Sequence, residues 1–154
     1  MEDTMPSSPE VLARRLIEEG FNEGDLRVAD DLTSSSMVEH QNFGPDHAPG
    51  AEGVKAVISS LRRAFSDFHL TIDDLTVNGD TVWLRMTGTG TNDGFFMGHP
   101  PTGRPMRIDV FDALRFEDDR LVEHWGIPDR LGTLFQLGLA APPTGASTPA
   151  AAHA

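Results

Sequence analysis

The dominant spacing of the apolar residues changes near Phe68. Before that point the apolar residues recur three and four positions apart, which is the spacing of one face of an amphipathic helix. Beyond it they alternate with polar residues, which is typical of half-buried strands. Helices followed by a run of strands predict an α+β fold, with N-terminal helices packed on one face of a strongly curved, mostly antiparallel sheet. Such a sheet forms a cone with an opening.

The helical half contains recognisable start and stop signals. Ser8, Pro9 and Glu10 are typical of a helix start, and Gly20 is typical of a helix end. A short helix over residues 25–32 and a short strand over residues 37–43 are expected next. The clearest helix follows, because its apolar residues recur at the i, i+3, i+4, i+7 and i+11 positions: Val54, Val57, Ile58, Leu61 and Phe65.

The strand half is expected to contain three longer strands and a last one over residues 121–127. Asp73 and Asp74 interrupt the alternation of the first strand, which predicts a β-bulge. Asn78 and Gly79 predict a tight hairpin turn. The Gly-rich run at residues 88–98 and the segment at residues 100–105 predict a long irregular connection. Pro128 is expected to end the last strand, and a short helix is expected after it.

The length of 154 residues is expected to form one domain. Residues 1–8 are predicted to be a flexible N-terminus, and residues 9–138 to form the domain. Residues 139–154 are rich in Pro, Ala and Thr and are predicted to be a disordered tail.

The composition argues against several classes of partner. The 24 Asp and Glu residues against 12 Lys and Arg residues give a formal net charge of -12, which repels nucleic acids and anionic membrane surfaces. The absence of cysteine excludes disulfides, thiolate nucleophiles and thiolate metal sites. The sequence has neither an apolar run long enough for a membrane span nor a signal peptide pattern at its start. A cytoplasmic protein without nucleic-acid or membrane partners is therefore expected.

Two segments in the second half carry a family resemblance. They are PPTGR at residues 100–104 and HWGIPD at residues 124–129, the latter followed by QLG at residues 136–138. In order and spacing, residues 9–138 resemble the SnoaL-like polyketide cyclases of the NTF2-like superfamily. The resemblance implies a cone-shaped α+β barrel, often a homodimer, that closes the ring of a polyketide ester by intramolecular aldol condensation without a cofactor. It also implies a small hydrophobic substrate, polyketide-like or another carbonyl compound.

Other activities occur on the same fold, so the resemblance leaves alternatives open. An epoxide or lactone hydrolase, or an isomerase, would use the same pocket carboxylates. A ligand-binding module would carry out no chemistry. The chain also lacks tyrosine, whose hydroxyl several relatives use to polarise the substrate or to hold water.

Asp129 is the first catalytic candidate. The resemblance implies a general acid/base at this position, because the family places an Asp after the HW segment. Leu121, Trp125 and Ile127 share the parity of Asp129 on the last strand, so its carboxyl group is expected to continue an apolar face. Such surroundings disfavour the charged form and suit proton transfer. The alternative is that Asp129 caps the C-terminal helix or pairs with an arginine.

Asp112 is the second candidate, because it interrupts an apolar face. A buried carboxylate without a partner is costly, so the sequence predicts that Asp112 is either partnered or functional. A bulge that turns Asp112 outward is the alternative. The apolar residues that alternate with it are Met106, Ile108, Val110, Leu114 and Phe116.

His40 and Asn42 lie two positions apart and are predicted to share one strand face. A histidine and an amide together suit the binding of a carbonyl oxygen or a water, so His40 is a third catalytic candidate. Without tyrosine, the enolate is expected to be stabilised by His40, Asn42, a protonated Asp112 or a backbone N–H group.

The remaining candidates are predicted to shape the pocket. Trp125 offers a flat apolar wall for an extended substrate, although it suits core packing equally well. Loop residues are expected to rim or cover the mouth. The histidines do not fall at familiar zinc spacings, so no metal is expected. The predicted substrate-binding residues are Asn42, Trp125, His47, Phe96, Ile127 and Val110.

Overall fold

The computed structural model of the protein describes residues 6–145, so part of the predicted flexible N-terminus and residues 146–154 of the predicted tail lie outside the described residues. The helices are α1 (Pro9–Arg15), its π-helical continuation (Leu16–Asn22), α2 (Arg27–Leu32), α3 (Gly50–Ala64) and α4 (Arg130–Gln136). The strands are β1 (Thr33–Glu39), β2 (His69–Asn78), β3 (Thr81–Thr91), β4 (Pro105–Glu117) and β5 (Arg120–Pro128).

The five strands form one curved, open sheet in the order β1-β5-β4-β3-β2. β1 pairs with β5 in parallel, and the other neighbours are antiparallel. The helices α1 to α3 and the π-helical turn pack against the concave side. The predicted α+β fold, with helices on one face of a curved and mostly antiparallel sheet, is confirmed. Among residues 6–145, no helix combines the length and the apolar character that a membrane crossing requires.

The first helix begins as predicted but ends later. Ser8 caps α1, and its Oγ accepts a hydrogen bond from the Val11 backbone N–H at 3.3 Å. Helical structure continues past Gly20 because that glycine is buried and packs near Ile58 of α3. The left-handed backbone that ends the helix lies at Gly24 instead, with φ of 77°.

The predicted bulge and hairpin of the first long strands are confirmed. The pairing of β2 with β3 shifts register between Ile72 and Asp74, and Gly79 adopts φ of 64° in the turn that follows. β1 occupies residues 33–39, earlier than predicted. β3 runs through the glycines to Thr91, and not into an irregular connection from residue 88. Gly90 of β3 packs against Phe65, and a side chain at this position would collide with that ring.

The core lies between the helices and the concave face of the sheet, and its large fully buried side chains include Phe65, Ile17 and Met86. Asn92 is also fully buried and fixes the long connection between β3 and β4. Its amide donates to the backbone carbonyl of Ala64 at 3.1 Å and accepts from the backbone N–H of Thr102 at 2.8 Å. The connection is thereby held against the end of α3, beside the opening of the core.

Candidate active site

A cavity of about 650 Å³ lies between the helices and the concave face of the sheet. This volume is in the range of small-molecule sites. Most of its wall is apolar, with side chains from the N-terminal helices, α3 and the inner face of β4. The polar and ionisable groups among its described lining residues include Glu39, Gln41, Asp112, His124 and Arg130.

Asp112 faces this cavity from the middle of β4. Its pairing with Leu84 of β3 and Gly126 of β5 keeps the regular register, so no bulge turns it outward at this point. Ile108 and Val110 line the cavity from the same strand face. The Asp112 side chain is 15% exposed. It therefore places one carboxylate in an apolar wall.

Asp112 is partnered by His124 of β5, which sequence reasoning missed. Nδ1 of His124 lies 2.8 Å from both carboxylate oxygens of Glu39. Nε2 of His124 lies 3.5 Å from Oδ2 of Asp112, at the outer limit of a hydrogen bond. The side chains of His124 and Glu39 are 14% and 17% exposed. The strand order β1-β5-β4 explains this array, because it places a carboxylate on each side of the imidazole.

The array keeps His124 protonated. Burial by itself lowers the pKa of His124, but the hydrogen bonds to Asp112 and Glu39 outweigh it and raise the pKa to about 9. The side chain is therefore an imidazolium at neutral pH. The Glu39–His124–Asp112 array combines a carboxylate that can accept a proton with a cation that can donate one.

Gly126 makes the convergence of these groups sterically possible. A Cβ at this position would overlap the Gln41 amide, and would lie 2.9 Å from His124 Cε1 and 3.0 Å from Asp112 Oδ1. The missing side chain thus leaves the space that Gln41, His124 and Asp112 occupy. The Gln41 amide is a second polar group at the same point of the wall.

A bulge in β5 changes which of its side chains face the cavity. Arg115 pairs with Glu123 and Phe116 with Leu121, so Val122 is left over as a bulge residue. The cavity wall therefore includes His124, whereas Trp125 and Ile127 lie on the outer face of the sheet. Ile127 is 72% exposed and Trp125 is 38% exposed.

His40 also lies on the outer face, because the cavity side of β1 carries Met37 and Glu39. Its ring stacks on Trp125, with centroids 4.6 Å apart. Its Nε2 lies 2.8 Å from Oε1 of Glu123. His40 and Asn42 thus do not share one strand face as predicted, because β1 ends at Glu39. The neighbours of His40, Glu39 and Gln41, line the cavity, and so does Asn42 beyond the strand.

Asp129 lies at the surface, directly after β5. Its Oδ1 accepts the backbone N–H of Gly132 at 2.8 Å, which makes it the N-cap of α4. It is exposed and does not belong to the described residues that line the cavity. This position matches the capping alternative for Asp129.

The remaining predicted residues line the cavity. Asn42 and His47 belong to the connection after β1, and His47 stacks on Phe43 at 4.6 Å. Phe96 packs edge-on against Phe65, with centroids 5.4 Å apart, and brings the β3–β4 connection to the cavity. Of the predicted residues, the structure thus brings together Asp112, Val110, Asn42, His47 and Phe96.

The comparisons with known proteins agree on one family. A family model described as SnoaL-like polyketide cyclase matches residues 11–137, which confirms the resemblance seen in the sequence. Aklanonic acid methyl ester cyclase DnrD of Streptomyces peucetius is 33% identical over 132 residues, covering 82% of this chain and 88% of that protein. Aklanonic acid methyl ester cyclase DauD of Streptomyces sp. (strain C5) is 33% identical over 137 residues, covering 85% and 83%.

Solved structures share the same fold. Wild-type IdmH from Streptomyces antibioticus has a TM-score of 0.74 and 35% sequence identity, with 86% of this chain and 99% of that chain covered. TsrD from Streptomyces laurentii has a TM-score of 0.76 and 32% identity, with 85% and 95% covered.

Proposed function

We propose that this chain, which belongs to the SnoaL-like polyketide cyclase family, closes a carbon ring in a polyketide ester by an intramolecular aldol reaction. Family membership makes it a polyketide cyclase with a small hydrophobic substrate. The ester is supported by the two cyclases named for aklanonic acid methyl ester. The observation that carries the chemistry is the half-buried Glu39–His124–Asp112 array in the wall of an otherwise apolar cavity.

Asp112 acts as the general base and then as the general acid. Its carboxylate removes a proton from a carbon next to a carbonyl group, which forms an enolate. The enolate carbon attacks a second carbonyl of the same molecule, so one C–C bond forms and the attacked oxygen becomes an alkoxide. Asp112 returns its proton to this alkoxide. The product is therefore an isomer of the substrate. General acid/base catalysis by a positioned side chain raises the reaction rate by about 10²–10⁴-fold.

His124 stabilises the negative charge that develops on oxygen. Its Nδ1–H group is held by both oxygens of Glu39. Among residues 6–145 its Nε2–H group makes only the long 3.5 Å contact with Asp112, so it is available to a substrate oxygen. A fixed cation in a sheltered cavity favours the enolate and alkoxide more than the neutral carbonyl. In this chain without tyrosine, we assign that role to His124, with the Gln41 amide beside it.

The alternatives left open by the sequence are not favoured. Hydrolysis of an epoxide or lactone, isomerisation, and ligand binding without chemistry all fit the fold. The relatives at 33% identity are named as cyclases instead. The alternatives differ from ring closure in their products: hydrolysis adds one water, isomerisation forms no new C–C bond, and ligand binding gives no product.

The mass of the product and its carbon framework together test ring closure. We expect the purified protein to convert aklanonic acid methyl ester, or a related ester with an internal ketone, into an isomer of unchanged mass. In ¹⁸O-labelled water the product should gain no label beyond that of a reaction without enzyme. A product heavier by one water would contradict the proposal, as would the absence of any product with several such esters. Mass spectrometry of both reactions detects hydrolysis, and ¹³C NMR of the product detects ring closure, in which one ketone carbonyl becomes a carbinol carbon. An isomer that keeps all its carbonyl groups would contradict the proposal as well.

The outer face of the sheet supports a homodimer. Trp83, Phe111, Trp125 and Ile127 lie together around a groove of about 240 Å³ on β3, β4 and β5. All four are among the exposed large hydrophobic residues. An apolar patch of this kind marks an interaction site. We propose that a second copy covers it through a two-fold symmetric interface, in which the same patch serves both subunits.

Ile127→Glu should separate the two subunits. In a two-fold interface the substitution places two new negative charges near each other, so we expect the dimer dissociation constant to rise at least about tenfold. Ile127 is 72% exposed, so the monomer should remain folded. Sedimentation or light scattering reports the mass. Val11→Glu is the matched control, because Val11 is 55% exposed but lies on α1 at the other side of the sheet. A monomeric wild type, or dissociation by the control, would contradict the interface.

A further inference from the structure

Arg130 stands out among the residues around the cavity because it is the one Lys or Arg in the described lining. It begins α4 and is exposed. Its Nη1 lies 3.4 Å from the backbone oxygen of Asn42, another rim residue. This is its only side-chain hydrogen bond among residues 6–145. Most of the guanidinium donors are therefore free to bind a ligand.

The position of Arg130 separates it from the proposed reaction centre. Gly126 pairs with Asp112, and Pro128 pairs with Val110 further along the same two strands. Arg130 follows Pro128, so it lies beyond the array along the cavity wall. At about 3.3 Å per residue of extended chain, the Cα atoms of Gly126 and Arg130 are at most about 13 Å apart. One extended molecule can thus contact the array with one end and Arg130 with the other.

The charges favour an anionic group at Arg130. The chain carries a formal net charge of -12, and part of that negative charge lies inside the cavity, where the array has two carboxylates and one imidazolium. An anionic ligand is therefore repelled unless a local cation compensates. A guanidinium binds a carboxylate through two parallel hydrogen bonds, and this pairing is stronger than one between neutral groups.

We propose that Arg130 is a specificity-determining residue that binds an anionic oxygen group, a carboxylate or an ionised phenol, at the end of the substrate away from the reacting carbonyl. This inference rests on the proposed function, since it assigns the other end of the same substrate. It describes the substrate as an ester that also carries a separate acidic group. Arg130 binds and orients, and takes no part in proton transfer.

Binding of paired probes tests this assignment. The first pair is 2-naphthoate and its methyl ester, and the second pair is 2,4-dinitro-1-naphtholate and its methyl ether. We expect the wild type to bind the anion of at least one pair about tenfold tighter than the neutral partner. Arg130→Gln should remove this preference while changing the affinity for the neutral partner by less than about twofold. Calorimetry or fluorescence gives the dissociation constants, and the pair that responds identifies the anionic group.

Arg107→Gln is the matched control. Arg107 is exposed on β4 and does not belong to the described cavity lining, so the substitution removes one positive charge elsewhere. An equal loss in this control would overturn the proposal, because it would reflect net charge alone. Equal binding of anion and neutral partner by the wild type would overturn it as well. The probes have no group that can cyclise, so these outcomes do not depend on whether Asp112 is the base.

Discussion

Asp112→Asn is expected to lower kcat by about 10²–10⁴-fold, because the amide cannot accept the proton that the aldol reaction must release. Asparagine has nearly the same size and shape, so the cavity and the fold should persist. Substrate affinity should change little, since the carboxylate acts on the reacting carbon and not on the whole skeleton. Turnover of a polyketide methyl ester, measured together with the circular dichroism spectrum and a ligand dissociation constant, checks all three expectations.

Asp129→Asn is the decisive companion variant. The sequence resemblance points to Asp129 as the acid/base, whereas the geometry favours Asp112, which faces the cavity. Asparagine is as good an N-cap as aspartate, so this substitution should leave α4 intact. We expect nearly unchanged turnover. If Asp129→Asn lost most of its turnover and Asp112→Asn stayed active, Asp129 would be the general acid/base and Asp112 would not.

His124→Gln is expected to lower kcat by about 10²–10³-fold, the usual effect of removing one donor that stabilises a developing oxyanion. Glutamine can still donate to Glu39 but carries no positive charge. The wild-type protein should show a matching pH dependence. Because the pKa of His124 is raised to about 9, the imidazolium persists at neutral pH, and kcat should decrease as the pH rises through about 9.

Stability should follow the same titration. A pKa that is higher in the folded state stabilises the fold fully below the unfolded value of 6.5, and this contribution is lost as the pH rises through about 9. In His124→Gln, the free energy of unfolding should lose this part of its pH dependence. Denaturant unfolding between pH 6 and 10 provides the measurement. A wild-type kcat that stays constant across this window would contradict a protonated His124 as the donor.

His40→Gln is the matched control for His124→Gln. His40 also pairs with a glutamate, Glu123 at 2.8 Å, but on the outer face of the sheet. Its replacement should change turnover by less than about twofold, as expected for a surface position. A comparable loss in both variants would mean that the effect of His124→Gln is structural. A loss in His40→Gln alone would support the role that the strand pattern predicted for His40.

The order of elements and the family were readable from the sequence because both depend on local patterns. Helical spacing, the Ser8 cap, the Asp73 bulge and the hairpin at Gly79 are fixed by a few neighbouring residues. The place of Asp112 on the apolar face of β4 was predicted in the same way. The pleat of a regular strand places alternate residues on one face, and β4 keeps an unbroken register with β3 from Pro105 to Arg115.

Only the tertiary structure decided which residues join Asp112. One extra residue in a strand reverses every face beyond it. The bulge at Val122 does this in β5, where it places His124 inside and Trp125 outside. The contact between Glu39 and His124 joins residues far apart in sequence, and it exists because β1 adds in parallel to the edge of β5. The sequence by itself determined the fold class and the place of one carboxylate, whereas the long-range pairing of strands determined which groups surround it.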